Sequence, residues 1–129
     1  MNCVEGTRKL ATILIIEDSK FALFRLTKLF QGAGHEIVGS VRQSEKALSC
    51  YKTLQPQLVT LDHMMDGKSG EEVLEEIMDY DPSAKVIMIS GSGDVTLPER
   101  VLNAGASAFV QKFDDSTDIL DVIDQVLSR

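Results

Sequence analysis

The chemistry in this chain begins with polar residues that each follow a short apolar run. Glu17-Asp18 come directly after Ile13–Ile16, Asp62 after Leu58–Leu61 and Ser90 after Val86–Ile89, while Lys112 stands just past Ala108–Val110. Three carboxylates, a hydroxyl and an ammonium suit a site that takes a cation and then a phosphoryl group. Carboxylates a few ångströms apart resist joint ionisation. A hard divalent cation with oxygen ligands, Mg2+ above all, relieves that repulsion and neutralises an incoming phosphoryl group. A serine hydroxyl and a lysine, a compact point charge with three donors, supply the remaining phosphoryl contacts. Taken singly, each residue also has an ordinary structural use. Asp18 or Ser19 can cap a helix, Asp62 can sit in a turn, Ser90 can start a loop, and Lys112 can be a solvated lysine. Their joint use depends on elements that bring them together.

Those elements are legible. The apolar runs at 13–16, 36–41, 58–61, 86–89 and 108–110 are short, rich in Ile, Val and Leu, and mostly lack strict alternation. Strands buried on both faces read this way. Between them, apolar residues recur at helical spacing: Ala22, Leu26, Leu29 and Phe30; Ala47, Leu48, Tyr51 and Leu54; Val73, Leu74, Ile77 and Met78; Leu120, Ile123, Val126 and Leu127. Ser44 and Ser116 read as helix N-caps and Gly32 and Gly34 as a helix exit. The fourth helix is expected to start near Pro98 and stop at Gly105. Five strand–helix units imply an α/β fold, a doubly wound five-stranded parallel sheet with helices on both faces. With the strand order 2-1-3-4-5, strands 1 and 3 are central neighbours. The three carboxylates then meet at the carboxyl edge of the sheet, where such folds bind ligands.

Composition sets the outer bounds. The chain has 129 residues, 43% of them hydrophobic, which suits a single domain. Residues 1–11 read as a short tail and 12–129 as the domain. The net charge of −7 argues against nucleic acid or an anionic membrane as the main partner. Cys3 and Cys50 form no disulfide framework and read as free thiols. The longest apolar runs are far too short to span a bilayer. Arg8-Lys9 followed by Leu10–Ile16 lacks the cleavage site of a signal peptide, so a cytoplasmic location is expected. Seven of the 20 acids (Glu17, Asp18, Asp62, Asp66, Asp94, Asp114 and Asp115) fall at or just beyond the predicted strand ends. The acidity is therefore partly located rather than diffuse.

The order and spacing of these pieces resemble the response-regulator receiver domain of two-component signalling, a CheY-like (βα)5 fold of flavodoxin-like topology. The matching segments are Ile13-Leu14-Ile15-Ile16-Glu17-Asp18-Ser19, Leu58-Val59-Thr60-Leu61-Asp62 with Met65 and Gly70, Val86-Ile87-Met88-Ile89-Ser90-Gly91, Ala104-Gly105-Ala106, and Phe109-Val110-Gln111-Lys112. The resemblance implies that Asp62 is the aspartate phosphorylated by a histidine kinase or phosphotransfer protein. It makes Asp18 a direct ligand of Mg2+ (or Mn2+), Glu17 the acid beside it that acts through water, and the Met64 main-chain carbonyl a further ligand. Ser90 resembles the switch hydroxyl, Lys112 the phosphate-pairing lysine and Phe109 the aromatic switch. The side chain of Met64, with Ser92, flanks the approach of attacking water and so tunes hydrolysis. The chain ends one helix after Lys112, so a stand-alone receiver is expected. It would signal by changed protein binding on the face of the fourth helix, fifth strand and fifth helix. A monomer or a weak, phosphorylation-dependent dimer is expected. Its only chemistry would be phosphotransfer and self-dephosphorylation rather than classical enzymology.

Departures from the family pattern carry expectations of their own. Asp66 stands where proline is usual, which adds a carboxylate and should loosen the turn. Phe113 replaces the proline after the lysine. A cis bond before Phe would cost about 2.5–4 kcal/mol, so a trans bond is expected. Phe109 lacks the hydroxyl of the commoner tyrosine, and Pro98 shortens or re-aims the fourth helix. His63 reads as a loop side chain rather than a ligand, and His35 as exposed at the start of strand 2. These departures also motivate a second reading, a phosphorylation-independent interaction module. A phosphatase of haloacid-dehalogenase type would want an aspartate where Met64 stands. A flavodoxin would want a Ser/Thr/Gly phosphate loop where Glu17-Asp18-Ser19-Lys20 stands.

Overall fold

A computed structural model describes residues 9–112 and 116–129. Phe113, Asp114, Asp115 and Cys3 lie outside the described residues, and so does the peptide bond before Phe113. Five parallel strands, β1 (Thr12–Ile16), β2 (Glu36–Val41), β3 (Leu58–Asp62), β4 (Val86–Ser90) and β5 (Ala108–Gln111), form one sheet in the order β2-β1-β3-β4-β5. Five helices connect and follow them: α1 (Lys20–Gly32), α2 (Ala47–Leu54), α3 (Gly70–Tyr80), α4 (Leu97–Asn103) and α5 (Ser116–Leu127). No helix among the described residues is long and apolar enough to cross a membrane.

The central strands are apolar on both faces because both faces are covered. Every residue of β3 and β4 is buried. Successive side chains point to opposite sides, so each strand feeds two cores. Leu14, Ile16, Val59, Leu61, Val86 and Met88 pack under α2, α3 and α4 through Tyr51, Leu74, Ile77 and Val101. Ile13, Ile15, Leu58, Ile87 and Ile89 pack under α1 and α5 through Phe30, Ile119, Ile123 and Val126. The edge strand β2 is only partly buried, and its register against β1 shifts between Ile13 and Leu14.

The capping signals divide. Ser19 Oγ accepts from the Ala22 N–H and starts α1, and Ser69 and Glu72 form a reciprocal capping box at α3. Pro98 sits in the first turn of α4, and Gly105 follows that helix at φ +113°. Ser44 corrects its expected role. It opens a 3-10 turn (Ser44–Lys46) ahead of α2, and its hydroxyl caps no helix but bonds the Asp66 carbonyl. Leu54, assigned to the buried face of α2, is exposed. His35 is a second correction, being only 5% exposed, with Nδ1 accepting the Ala11 N–H. The chain enters β1 directly over it, so a ring expected in solvent becomes a buried acceptor.

Candidate functional site

Register decides which polar residues meet. Ile16 pairs with Leu61, Asp62 with Ile89, and Ser90 with Gln111. Glu17, Asp62, Ser90 and Lys112 therefore stand within about one residue of a common level at the carboxyl edge. One carboxylate oxygen from each of Glu17, Asp18 and Asp62 lies within 4.8 Å of the others. Glu17 is 1% exposed and Asp62 4%. Lys112 bridges the pair, with Nζ 3.1 Å from Glu17 Oε1, 3.3 Å from Glu17 Oε2 and 3.3 Å from Asp62 Oδ1.

The electrostatics are unbalanced. Three carboxylates face one ammonium, and Glu17 Oε1 makes no hydrogen bond even though the lysine is near. Burial first, then the adjacent Asp62 carboxylate, push Glu17 up to about 7. Burial works against the charge on Lys112, but Asp62 and Glu17 outweigh it and raise the ammonium above its ordinary value. An all-oxygen, partly open cluster whose three carboxylates outnumber the one ammonium beside them fits a hard divalent cation. Glu17, Asp18 and Asp62 are the side chains that could hold one.

The surrounding loops are closed tightly. Gly70 bonds back to the His63 carbonyl at 2.8 Å, and a Cβ on Gly70 would run into the Asp62 carbonyl oxygen. Only glycine lets α3 start this close to the strand end. Met64 donates its N–H to Asp62 Oδ1 at 3.4 Å and leaves its side chain 64% exposed. Ser90 is fully buried, and its Oγ accepts the Ser92 N–H at 3.0 Å. Ser92 in turn accepts from Gln111 through its carbonyl and from the Asp94 N–H through its hydroxyl. Phe109 is half-buried against the core under α4.

Other sequence candidates go elsewhere. His63 turns to Glu71, with Nε2 3.1 Å from Oε1. Glu71 also takes a two-pronged contact from Arg100 at 2.9 and 3.0 Å, which holds its carboxyl below the ordinary value. Asp94 bonds Thr96 and Arg100 rather than the cluster. Asp66 does not loosen its turn: its carbonyl is held by Ser44 and its N–H by Asp18 Oδ2 at 3.3 Å. Sequence reasoning missed Arg42, whose Nε and Nη2 donate to the Asp18 carbonyl at 3.2 and 3.1 Å. Its position one residue beyond β2, on the same sheet edge, was the available signal.

Comparison with known proteins agrees with this geometry. The family model described as the response regulator receiver domain matches residues 13–124. Protein CcdB of Bacillus subtilis (strain 168) is 31% identical over 117 residues, covering 91% of this chain and 98% of that protein. The chemotaxis protein CheY of Thermotoga maritima is 31% identical over 114 residues, covering 88% of this chain and 95% of that protein. Among solved structures, the CheX–CheY–BeF3–Mg2+ complex from Borrelia burgdorferi contains a chain that superposes with a TM-score of 0.88. That match has 33% identity and covers 92% of this chain and 90% of that one. Fold, strand-edge carboxylates and family match all lead to one assignment: this chain belongs to the response regulator receiver domain family.

Proposed function

We propose that residues 12–129 form a phosphorylation-activated switch whose acceptor is Asp62. The observation that carries this reading is the Asp62 carboxylate itself. It is buried at the sheet edge, 3.3 Å from the Lys112 ammonium and clustered with Glu17 and Asp18. A carboxylate oxygen of Asp62 attacks the phosphorus of a phosphohistidine on a kinase or phosphotransfer protein. The P–O bond forms as the P–N bond breaks, and the histidine leaves. Glu17, Asp18, Asp62 and the Met64 main-chain carbonyl would hold Mg2+, which when bound neutralises charge on the phosphoryl oxygens. Lys112 pairs with one of those oxygens and Ser90 turns its hydroxyl to another.

That turn explains how the signal leaves the site. Ser90 Oγ now holds the Ser92 N–H. Moving it toward the phosphoryl group gives up that bond and frees the loop into α4. A phosphoryl group adds about −1.5 to −2 charges and three acceptor oxygens, so the move biases a two-state equilibrium. Phe109, half-buried beside α4, follows. Val95 and Leu102 are exposed around α4, which supports a downstream protein partner on the α4–β5–α5 face. Water then hydrolyses the acyl phosphate, with Met64 and Ser92 flanking its approach. The setting we infer is cytoplasmic.

The test is incubation with acetyl phosphate, or with beryllofluoride, in the presence of Mg2+. The expected result is one acyl phosphate by mass, or the fluorine NMR signals of one bound beryllofluoride, absent in Asp62→Asn. A wild-type chain that takes up neither Mg2+ nor beryllofluoride refutes the switch and favours a phosphorylation-independent interaction module.

A further inference from the structure

The segment after β2 makes contacts that neither cap a helix nor fill the core. Arg42 sends two guanidinium N–H groups to the main-chain carbonyl of Asp18, at 3.1 and 3.2 Å. The fully buried Ser44 donates its hydroxyl to the main-chain carbonyl of Asp66 at 3.0 Å. Asp66 donates its own N–H to Asp18 Oδ2 at 3.3 Å. Gly67 follows at φ +82°, and a Cβ there would strike the Glu45 carboxylate and come within 3.0 Å of Ser44 Oγ. The β3–α3 loop is therefore pressed flush against the 3-10 turn, beside a cleft of about 340 Å³ lined by Asp18, Arg42 and Asp66.

These bonds form a closed chain around Asp18. Its carbonyl is held by Arg42, one residue beyond β2, and its carboxylate by a loop that Ser44 of the 3-10 turn holds in place. A proline at position 66 would stiffen this turn by its ring. It would also remove the N–H that Asp66 gives to Asp18. With aspartate there, the turn must be held from outside, and Ser44 does so. We propose that Arg42 and Ser44 are positioning residues for the cation site, orienting Asp18 by pinning its carbonyl and by fixing the Asp66 loop that holds its carboxylate. This rests on the cation reading above. Groups that orient a metal ligand without touching the metal typically set its affinity by about ten- to a hundredfold.

The sign of one measurement separates positioning from bulk charge. Arg42 is a cation beside a cation site, so by Coulomb repulsion alone its removal should tighten Mg2+. Orientation predicts the opposite. Mg2+ is titrated calorimetrically into the full chain, wild type and variants, and melting is recorded in EDTA. Arg42→Ala is expected to weaken Mg2+ binding about tenfold while melting like wild type, since Arg42 is exposed. Arg42→Lys keeps the charge but not the two-pronged contact, and recovers part of the loss. Ser44→Ala changes no charge and is also expected to weaken binding about tenfold. Arg42→Ala binding as tightly as wild type or tighter, or Ser44→Ala binding unchanged, overturns the proposal. In either case wild-type binding leaves the cation site itself standing. A wild type that takes up no Mg2+ overturns both.

Discussion

Glu17 makes the metal-free protein pay for its own site, and the size of that effect follows from one comparison. Its carboxyl ionises at about 7 in the fold against 4.5 as an ordinary side chain, because it is buried and next to Asp62. Between these values the folded chain holds a proton that the unfolded chain has released, so stability falls as pH rises. The contribution is fully present below about pH 4.5 and lost above about pH 7. At about 1.4 kcal/mol per pH unit, the loss across that window is about 3 kcal/mol. Glu17→Gln removes the titration. Urea unfolding in EDTA, followed by circular dichroism at pH 4 and pH 8, gives the stability of both proteins. The variant's stability relative to wild type should rise by about 3 kcal/mol between the two pH values. Working from the difference cancels the groups remote from Glu17 that both chains share. Saturating Mg2+ should flatten the wild-type profile, because the cation binds the ionised site of the folded state and so adds most stability where the carboxylate costs most. A difference that stays constant with pH would refute the argument that burial and Asp62 together hold this carboxyl up.

Three further outcomes follow from the same geometry. Lys112→Ala leaves the Glu17 and Asp62 carboxylates facing each other without an ammonium, so the metal-free chain should lose about 3 kcal/mol at pH 8. The loss should shrink at pH 5, where Glu17 is protonated, and equal losses at both pH values in urea titrations would count against it. Gly70→Ala places a methyl against the Asp62 carbonyl and His63 Cα. A destabilisation of about 1–3 kcal/mol is expected, with thermal melting as the check and a neutral variant as the contrary result. Met64→Asn replaces an exposed apolar side chain beside the acceptor with a polar one. Its acyl phosphate should decay faster than wild type's in a mass-resolved time course, and equal or slower decay would remove Met64 from hydrolysis.

Much of the architecture was readable because burial on both faces leaves a plain mark. Val86–Ile89 and Leu58–Leu61 have no alternation to hide, and helices recur between them at fixed spacing. Pro98 and Gly105 bracket α4 because one lacks an N–H and the other tolerates positive φ. Asp62, Ser90 and Lys112 were legible as candidates because parallel strands all end at one edge. Ser44 and His35 were misread for a common reason. Each was judged by its neighbours in sequence, yet its partner is remote: Asp66 for the hydroxyl, Ala11 for the ring.

By itself the sequence determined the strand–helix alternation, the parallel sheet and the list of polar residues at its carboxyl edge. These follow from local propensity and periodicity, which act over a few residues. Only the tertiary structure decided that Lys112 is shared between Glu17 and Asp62, and that Glu17 is pushed up to about 7. It also decided that the loop at Asp66 is held by Ser44 of the 3-10 turn and by Asp18 rather than loosened. Distances between side chains far apart in sequence come from strand register and loop packing. Desolvation and Coulomb repulsion depend on those distances, so they exist only once the chain has folded.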